Sequence, residues 1–201
     1  MTTLFLVRHG ETMDNARHIM QGQVQGQLNE RGLEQARAVR DRMAGERIDA
    51  FVASDLKRAI DTAAIIAEPY GLPVETTPLL RERDWGAFTG KYIPDLKGVE
   101  WPDDVEPLDA LMERAARFLE YIDEKYHGQR VLAVGHGIIN KAVQAVYYGL
   151  PMRKVVRMDN AEVRVMELPA AEAASAAGTA SAVAVAVAAA AAAGDTAASA
   201  E

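Results

Sequence analysis

Two segments of the chain share one pattern. Leu4-Phe5-Leu6-Val7 is an apolar run that ends in Arg8-His9-Gly10, and Val131-Leu132-Ala133-Val134 is another that ends in Gly135-His136-Gly137. Runs this short and this apolar read as strands buried on both faces, as in parallel sheets. Each then places a histidine at the carboxyl end of a buried strand, where open α/β sheets bind their ligands. Glycine beside each histidine lets the main chain come close to a bound group. A lone histidine after a strand is more often a structural residue. Two in matching positions, one directly preceded by arginine, point to a site. The other two histidines, His18 and His127, lie in polar stretches and read as surface residues.

Between these landmarks, helical and strand patterns alternate. Thr3–Val7 is the first strand. Asn29 can cap a helix running to about Ala44, with Gly45 as its stop. Ala50–Ala53 reads as a second strand, and Asp55 as the cap of a helix that Pro69 to Gly71 closes. Pro73–Thr76 is a weak third strand. Residues 80 to 106 are loop-like and rich in Trp, Gly, Pro and Asp. Pro107 suits the first position of a helix, and Leu108, Leu111, Met112, Ala115, Leu119 and Ile122 follow helical spacing. Arg130–Val134 is a strand, Ile138 to about Tyr148 a helix, and Val155–Met158 and Val163–Leu168 closing strands. The alternation predicts an α/β fold, a three-layer α/β/α sandwich with a mostly parallel central sheet.

One domain with an appended tail is expected, because two regions differ in composition. Residues 1–168 carry the mixed composition of a folded domain, and 169–201 form an Ala-rich low-complexity tail. The tail holds Glu172, Asp195 and Glu201 and no basic residue. It is expected to be disordered or loosely helical. If helical, it could dock on the domain or on a second subunit, giving a homodimer.

Composition removes several function classes. The chain has 201 residues and no cysteine, so disulfides, thiolate catalysis and cysteine metal sites are all excluded. Its net charge of −7 argues against nucleic-acid binding. The start of the chain lacks the basic region and long apolar core of a signal peptide. The longest uncharged Ala/Val run, Ala182–Ala193, falls short of the ~20 residues that span a bilayer. A cytoplasmic protein without membrane or nucleic-acid partners is expected, with a small molecule as ligand. An anionic ligand would need a locally strong basic pocket to overcome the global field.

The residues around the two histidines resemble a known family. Arg8-His9-Gly10-Glu11-Thr12, with Asn15 and Gln21-Gly22, is similar to the opening motif of the histidine phosphatase superfamily, the phosphoglycerate mutase-like group. The resemblance continues in order through Leu28-Asn29-Glu30-Arg31-Gly32, Gln35-Ala36, Ser54-Asp55-Leu56-Lys57-Arg58-Ala59 with Thr62-Ala63, Leu80-Arg81-Glu82, and Gly135-His136-Gly137. It covers about residues 3 to 168.

The resemblance implies a role for each matched residue. His9 matches the nucleophile: a neutral imidazole nitrogen can attack phosphorus and form a phosphohistidine. Arg8 and Arg58 match a phosphate clamp, because guanidinium forks fit phosphate oxygens. His136 matches a second phosphate-facing histidine, with Gly137 beside it. Asn15 matches a further phosphate ligand and Gln21 a residue near the substrate; both could equally be loop caps. Glu82 matches the general acid that protonates the leaving oxygen and then activates water. Its neighbours Arg81 and Arg83 could reach anionic parts of the substrate or form surface ion pairs. Trp85, Phe88, Tyr92 and Trp101 could line a lid or anchor the loop. No metal and no cofactor are expected, since the arginines and histidines supply the positive charge.

The resemblance favours one branch. The acid-phosphatase branch has Asp after the second histidine, where Gly137 stands here. The mutase branch has a longer segment between acid and second histidine; here only 53 residues separate Glu82 from His136. A phosphatase acting on a small phosphorylated metabolite is therefore the leading expectation. A phosphoglycerate mutase and a non-catalytic phospho-ligand binder are the alternatives. Departures from the pattern at Ile19, Gln25, Gln27, Pro107, Gly135 and Lys141 spare the clamp and the acid, and leave the substrate open.

Overall fold

A computed structural model describes residues 1–169. The expectation for the tail therefore falls, from residue 170, outside the described residues. Five strands form one sheet in the order β3-β2-β4-β1-β5: β1 (Thr2–Arg8), β2 (Ala50–Ser54), β3 (Val74–Thr77), β4 (Arg130–Gly135) and β5 (Val163–Leu168). The first four are mutually parallel, and β5 runs antiparallel beside β1. Helices are α1 (Met13–Ala16), α2 (Glu30–Met43), α3 (Lys57–Ala67), α4 (Leu108–Lys125) and α5 (Gly137–Tyr148).

Strand alternation builds the three layers. Side chains two apart share a face. Leu4, Leu6, Val131 and Ala133 pack on one side with Leu111, Phe118 and Ile122 of α4 and Ile139 and Val143 of α5. Phe5, Val7, Leu132 and Val134 pack on the other with Val39 of α2 and Ile66 of α3. A third cluster of Met20, Trp85, Phe88 and Val105 holds the long segment before α4.

The local signals mostly act as expected. Asn29 caps α2 by accepting from the N–H of Gly32 at 2.8 Å. Pro107 sits one position earlier than expected, at the cap of α4. Two expectations fail. Asp55 does not cap α3. Leu56 occupies the cap position without a side-chain bond, and the Asp55 carboxylate instead pairs with Arg81 through two hydrogen bonds of 2.8 and 2.6 Å. A bidentate charged partner outcompetes a lone cap. Val155–Met158 is not a strand. Both edges of β1 are already taken, by β4 and β5, so the segment crosses the sheet's end instead.

Candidate active site

The site follows from strand register. β1 and β4 are adjacent and parallel, and Arg8 pairs with Gly135. Both histidines thus leave the sheet at the same end, with ring centroids 5.0 Å apart. The N–H of His9 donates to the carbonyl of Gly135 at 3.0 Å, joining the two strand ends. The loop after His9 packs so closely on α2 that a Cβ at Gly10 would lie 2.4 Å from the carbonyl oxygen of Gly32. Only glycine fits there.

Each ring has one determined tautomer. Nδ1 of His9 lies 2.7 Å from the carbonyl oxygen of Gly10, so Nδ1 carries the proton and Nε2 keeps a lone pair. Nδ1 of His136 accepts from Nε of Arg58 at 3.2 Å. A guanidinium can only donate, so the His136 proton is on Nε2, which is buried without a partner. Burial pushes both histidines well below the ordinary value, helped by the charges of Arg58 and Arg8 at His9 and of Arg58 at His136. Neither ring is charged at neutral pH.

Two buried guanidiniums supply the positive field. Arg8 donates to the carbonyl of Met158 at 2.7 Å, and its Nε has no partner. Arg58 is 1% exposed. It ties His136 to the loop of residues 22–25 by donating to the carbonyls of Gly22 at 2.7 Å, Gln25 at 3.2 Å and Val24. Burial holds both guanidiniums down to about 10, so they remain charged near neutrality. Thr62 couples the parts: its hydroxyl accepts from the N–H of Gly10 at 3.1 Å and donates to the carbonyl of Arg58 at 2.8 Å.

Glu82 sits on the first turn of α5. Its carboxylate accepts from the N–H groups of Ile138 and Ile139, both at 3.1 Å, and of Arg83 at 2.9 Å. Neither flanking guanidinium hydrogen-bonds to it. Arg81 is paired with Asp55, as an ion pair, whereas Arg83 donates to the carbonyl of Glu106 at 2.8 Å and lies 5.0 Å from the ring centres of both Trp85 and Trp101.

These residues border a cavity of about 490 Å³. Arg8, His9, Asn15, Gln21, Arg58 and Glu82 line it. His136 and Gly137 do not: His136 is wholly buried, and Gly137 lies beneath the guanidinium of Arg157. Asn15 also caps, its side chain accepting from the N–H of Thr12 at 3.2 Å. Gln21 donates to the Thr12 hydroxyl at 2.8 Å, and its Oε1 is buried and unpaired. Trp85 and Trp101 line the cavity, Phe88 anchors the loop, and Tyr92 is exposed. His18 and His127 are exposed, far from any such role. Among the described residues, no group of three or more His, Asp and Glu could hold a metal ion, and no helix is long and apolar enough to cross a membrane.

Sequence reasoning missed Arg157 and Asn160. Asn160 donates to the carbonyl of His9 at 3.0 Å and lies 3.4 Å from Oδ1 of Asn15. Arg157 lines the cavity. Lys141, noted only as a departure from a pattern, lines it too.

A neutral histidine, two guanidiniums and a carboxylate lining one cavity are chemically suited to phosphoryl transfer. Residues 4–176 match the family model of the histidine phosphatase superfamily, branch 1, and the chain belongs to that family. It is 37% identical over 186 residues to the metal-independent phosphoserine phosphatase of Arabidopsis thaliana, covering 84% of this chain and 77% of that one. It is 35% identical over 184 residues to phosphoglycerate mutase-like protein 4 of the same plant, covering 82% and 79%. Among solved structures, mycobacterial glucosyl-3-phosphoglycerate phosphatase with VO3 superposes with a TM-score of 0.74 at 27% identity, covering 82% of this chain and 92% of that one. Phosphoric monoester hydrolase is the enzyme class into which the chain falls.

Proposed function

We propose that the chain is a metal-independent phosphatase that hydrolyses a small phosphorylated metabolite through a phosphohistidine on His9. The observation that carries this is the His9 tautomer: Nδ1–H is engaged by the carbonyl of Gly10, which leaves Nε2 unprotonated on a ring that lines the cavity. The Nε2 lone pair attacks phosphorus in line. The phosphorus–oxygen ester bond breaks, and the carboxyl proton of Glu82 goes to the leaving oxygen. Nδ1–H keeps donating to the Gly10 carbonyl and so steadies the imidazolium that forms. Glu82, now a carboxylate, takes a proton from water as that water attacks phosphorus. The nitrogen–phosphorus bond breaks, orthophosphate leaves, and His9 is neutral again.

Arg8 and Arg58, which line the cavity, and the unpaired Nε2–H of His136, whose ring lies 5.0 Å from that of His9, are the donors assigned here to the phosphoryl oxygens. Preorganised donors of this kind usually supply the largest share of catalysis. They also perform the charge neutralisation that a metal would otherwise perform. A cavity of this size suits a small metabolite. The Arabidopsis relative makes phosphoserine the first compound to try.

The test is phosphate release from a panel of phosphorylated metabolites in the presence of chelator, with His9→Ala alongside. Release that the variant abolishes supports the proposal, and loss of release on chelation sinks its metal-independent form. Phosphate that moves within the substrate rather than appearing free would make the chain a mutase. Tight binding with neither outcome would make it a binder.

A further inference from the structure

The proposed chemistry gives no role to two cations that line the same cavity, Lys141 and Arg157. Ile138 and Lys141 lie three residues apart on α5, so they are neighbours on one helix face, and both line the cavity. Arg157 approaches from the segment before β5. A Cβ at Gly137 would lie 2.6 Å from Nε and 2.8 Å from Nη2 of Arg157, so this guanidinium rests on the first residue of α5. Neither Lys141 nor Arg157 has a hydrogen bond or ion pair with another described residue. Arg8 and Arg58 already belong to the proposed phosphoryl end of the site, and Arg83 holds Glu106 between two indoles.

Two unpaired cations facing one cavity repel each other and gain from a shared anion. Their position relative to the chemistry is fixed by Glu82, whose Oε1 accepts from the N–H of Ile138 at 3.1 Å. The carboxylate that meets the ester oxygen therefore lies within a helical turn of Lys141. We infer that Lys141 and Arg157 form a second anion subsite. The substrate would then be a phosphomonoester that carries another anionic group, carboxylate or phosphate, close to its esterified carbon. This rests on the phosphatase reading above and narrows it.

Matched substrate pairs test the subsite. O-phosphoserine and O-phosphoethanolamine differ by a carboxylate; fructose 1,6-bisphosphate and fructose 6-phosphate differ by a phosphate. The readout is the ratio of kcat/KM within each pair, for the full chain and for Lys141→Met, Arg157→Met and Lys141→Arg. In the unsubstituted protein the doubly anionic member of one pair is favoured about 10- to 100-fold, the worth of a charged hydrogen bond. Which pair shows it tells carboxylate from phosphate. Both methionine variants bring that ratio close to one, and Lys141→Arg retains most of it. No preference in the unsubstituted protein overturns the inference, and so do equal losses on both members of a pair. Calorimetric titration of His9→Ala with the same pairs reads the subsite without turnover; equal affinities within both pairs refute it even if nothing is hydrolysed. Release of p-nitrophenol from its phosphate, lost in His9→Ala, reports separately on the phosphatase reading.

Discussion

Lowering the pH from 7.5 to 5.5 should destabilise this protein through two buried histidines. His9 is 3% exposed and His136 is wholly buried. Both have folded pKa values well below 6.5, chiefly because burial disfavours the charged ring. An unfolded chain has no such penalty, and its histidines titrate near 6.5. Below that pH the unfolded state binds protons that the folded state refuses. The stabilising contribution is therefore complete above 6.5 and is lost as the pH falls. For one histidine the loss between pH 7.5 and 5.5 is at most about 1.4 kcal/mol, and for both at most about 2.7 kcal/mol, the limit reached when the folded rings take up no proton; that is a large part of the stability of an ordinary domain. The carboxylates whose pKa is lowered on folding, Asp49, Asp55, Glu75 and Glu162, titrate from lower starting values, so their losses come at more acid pH. Denaturant unfolding at the two pH values, without phosphate, measures the drop. His9→Asn and His136→Asn should each remove about half of it. A protein equally stable at both pH values, or variants that keep the whole drop, would refute the assignment of these rings as buried and neutral.

Other expectations follow from single contacts. Glu82→Gln should lower kcat/KM, which reports the transfer of the phosphoryl group to His9 and not the later hydrolysis, about 10²- to 10⁴-fold on an alkyl phosphate, the usual worth of general acid–base catalysis, but much less on p-nitrophenyl phosphate, whose leaving group needs no proton. Steady-state kinetics on both substrates checks it; equal losses would remove the acid role. Gly32→Ala would put a Cβ 2.0 Å from the carbonyl oxygen of Glu11, a backbone atom that cannot step aside. It should cost at least about 1–3 kcal/mol, as overpacking does, with a matching fall in denaturation midpoint. Asn160→Ala removes the donor to the His9 carbonyl. Stability should fall by about 1 kcal/mol, kcat should fall more than KM rises, and Asn160→Asp, which lacks the N–H, should not rescue.

What was legible in the sequence and what was not divides by the range of the interaction. The strands that carry His9 and His136 were readable because an uninterrupted apolar run is a local signal. Asn29 was readable because a cap acts within three residues. Asp55 misled for the same reason: it offered a local cap, but Arg81, 26 residues away, took its carboxylate. The motif carried Glu82, yet nothing local tells that three backbone N–H groups receive it, two of them from α5. Arg157 and Asn160 were hidden by the direction of β5. A strand antiparallel to β1 begins where β1 ends, and Val163 pairs with Val7. The residues just before β5 must then lie at the catalytic end of the sheet. An apolar run does not reveal its direction, so that consequence could not be drawn from sequence.

The antiparallel strand also explains how the site tolerates its own charge. Arg8 and Arg58 are buried and still charged near neutrality, and the Nε of Arg8 and Nε2–H of His136 have no partner among the described residues. Each unsatisfied buried donor costs about 1–3 kcal/mol. The segment entering β5 offsets part of this by presenting the Met158 carbonyl to Arg8 and the Asn160 amide to the nucleophile loop. It does not supply an anion for the two orphan donors. Arg58 meanwhile spends three of its five hydrogens on carbonyls and points a fourth at Nδ1 of His136, which forces the partner proton onto Nε2. The folded chain thus keeps two N–H groups unpaired around a neutral nucleophile. On the mechanism proposed above, a phosphoryl group gaining negative charge on its oxygens is the ligand that satisfies them, most fully when that charge is greatest.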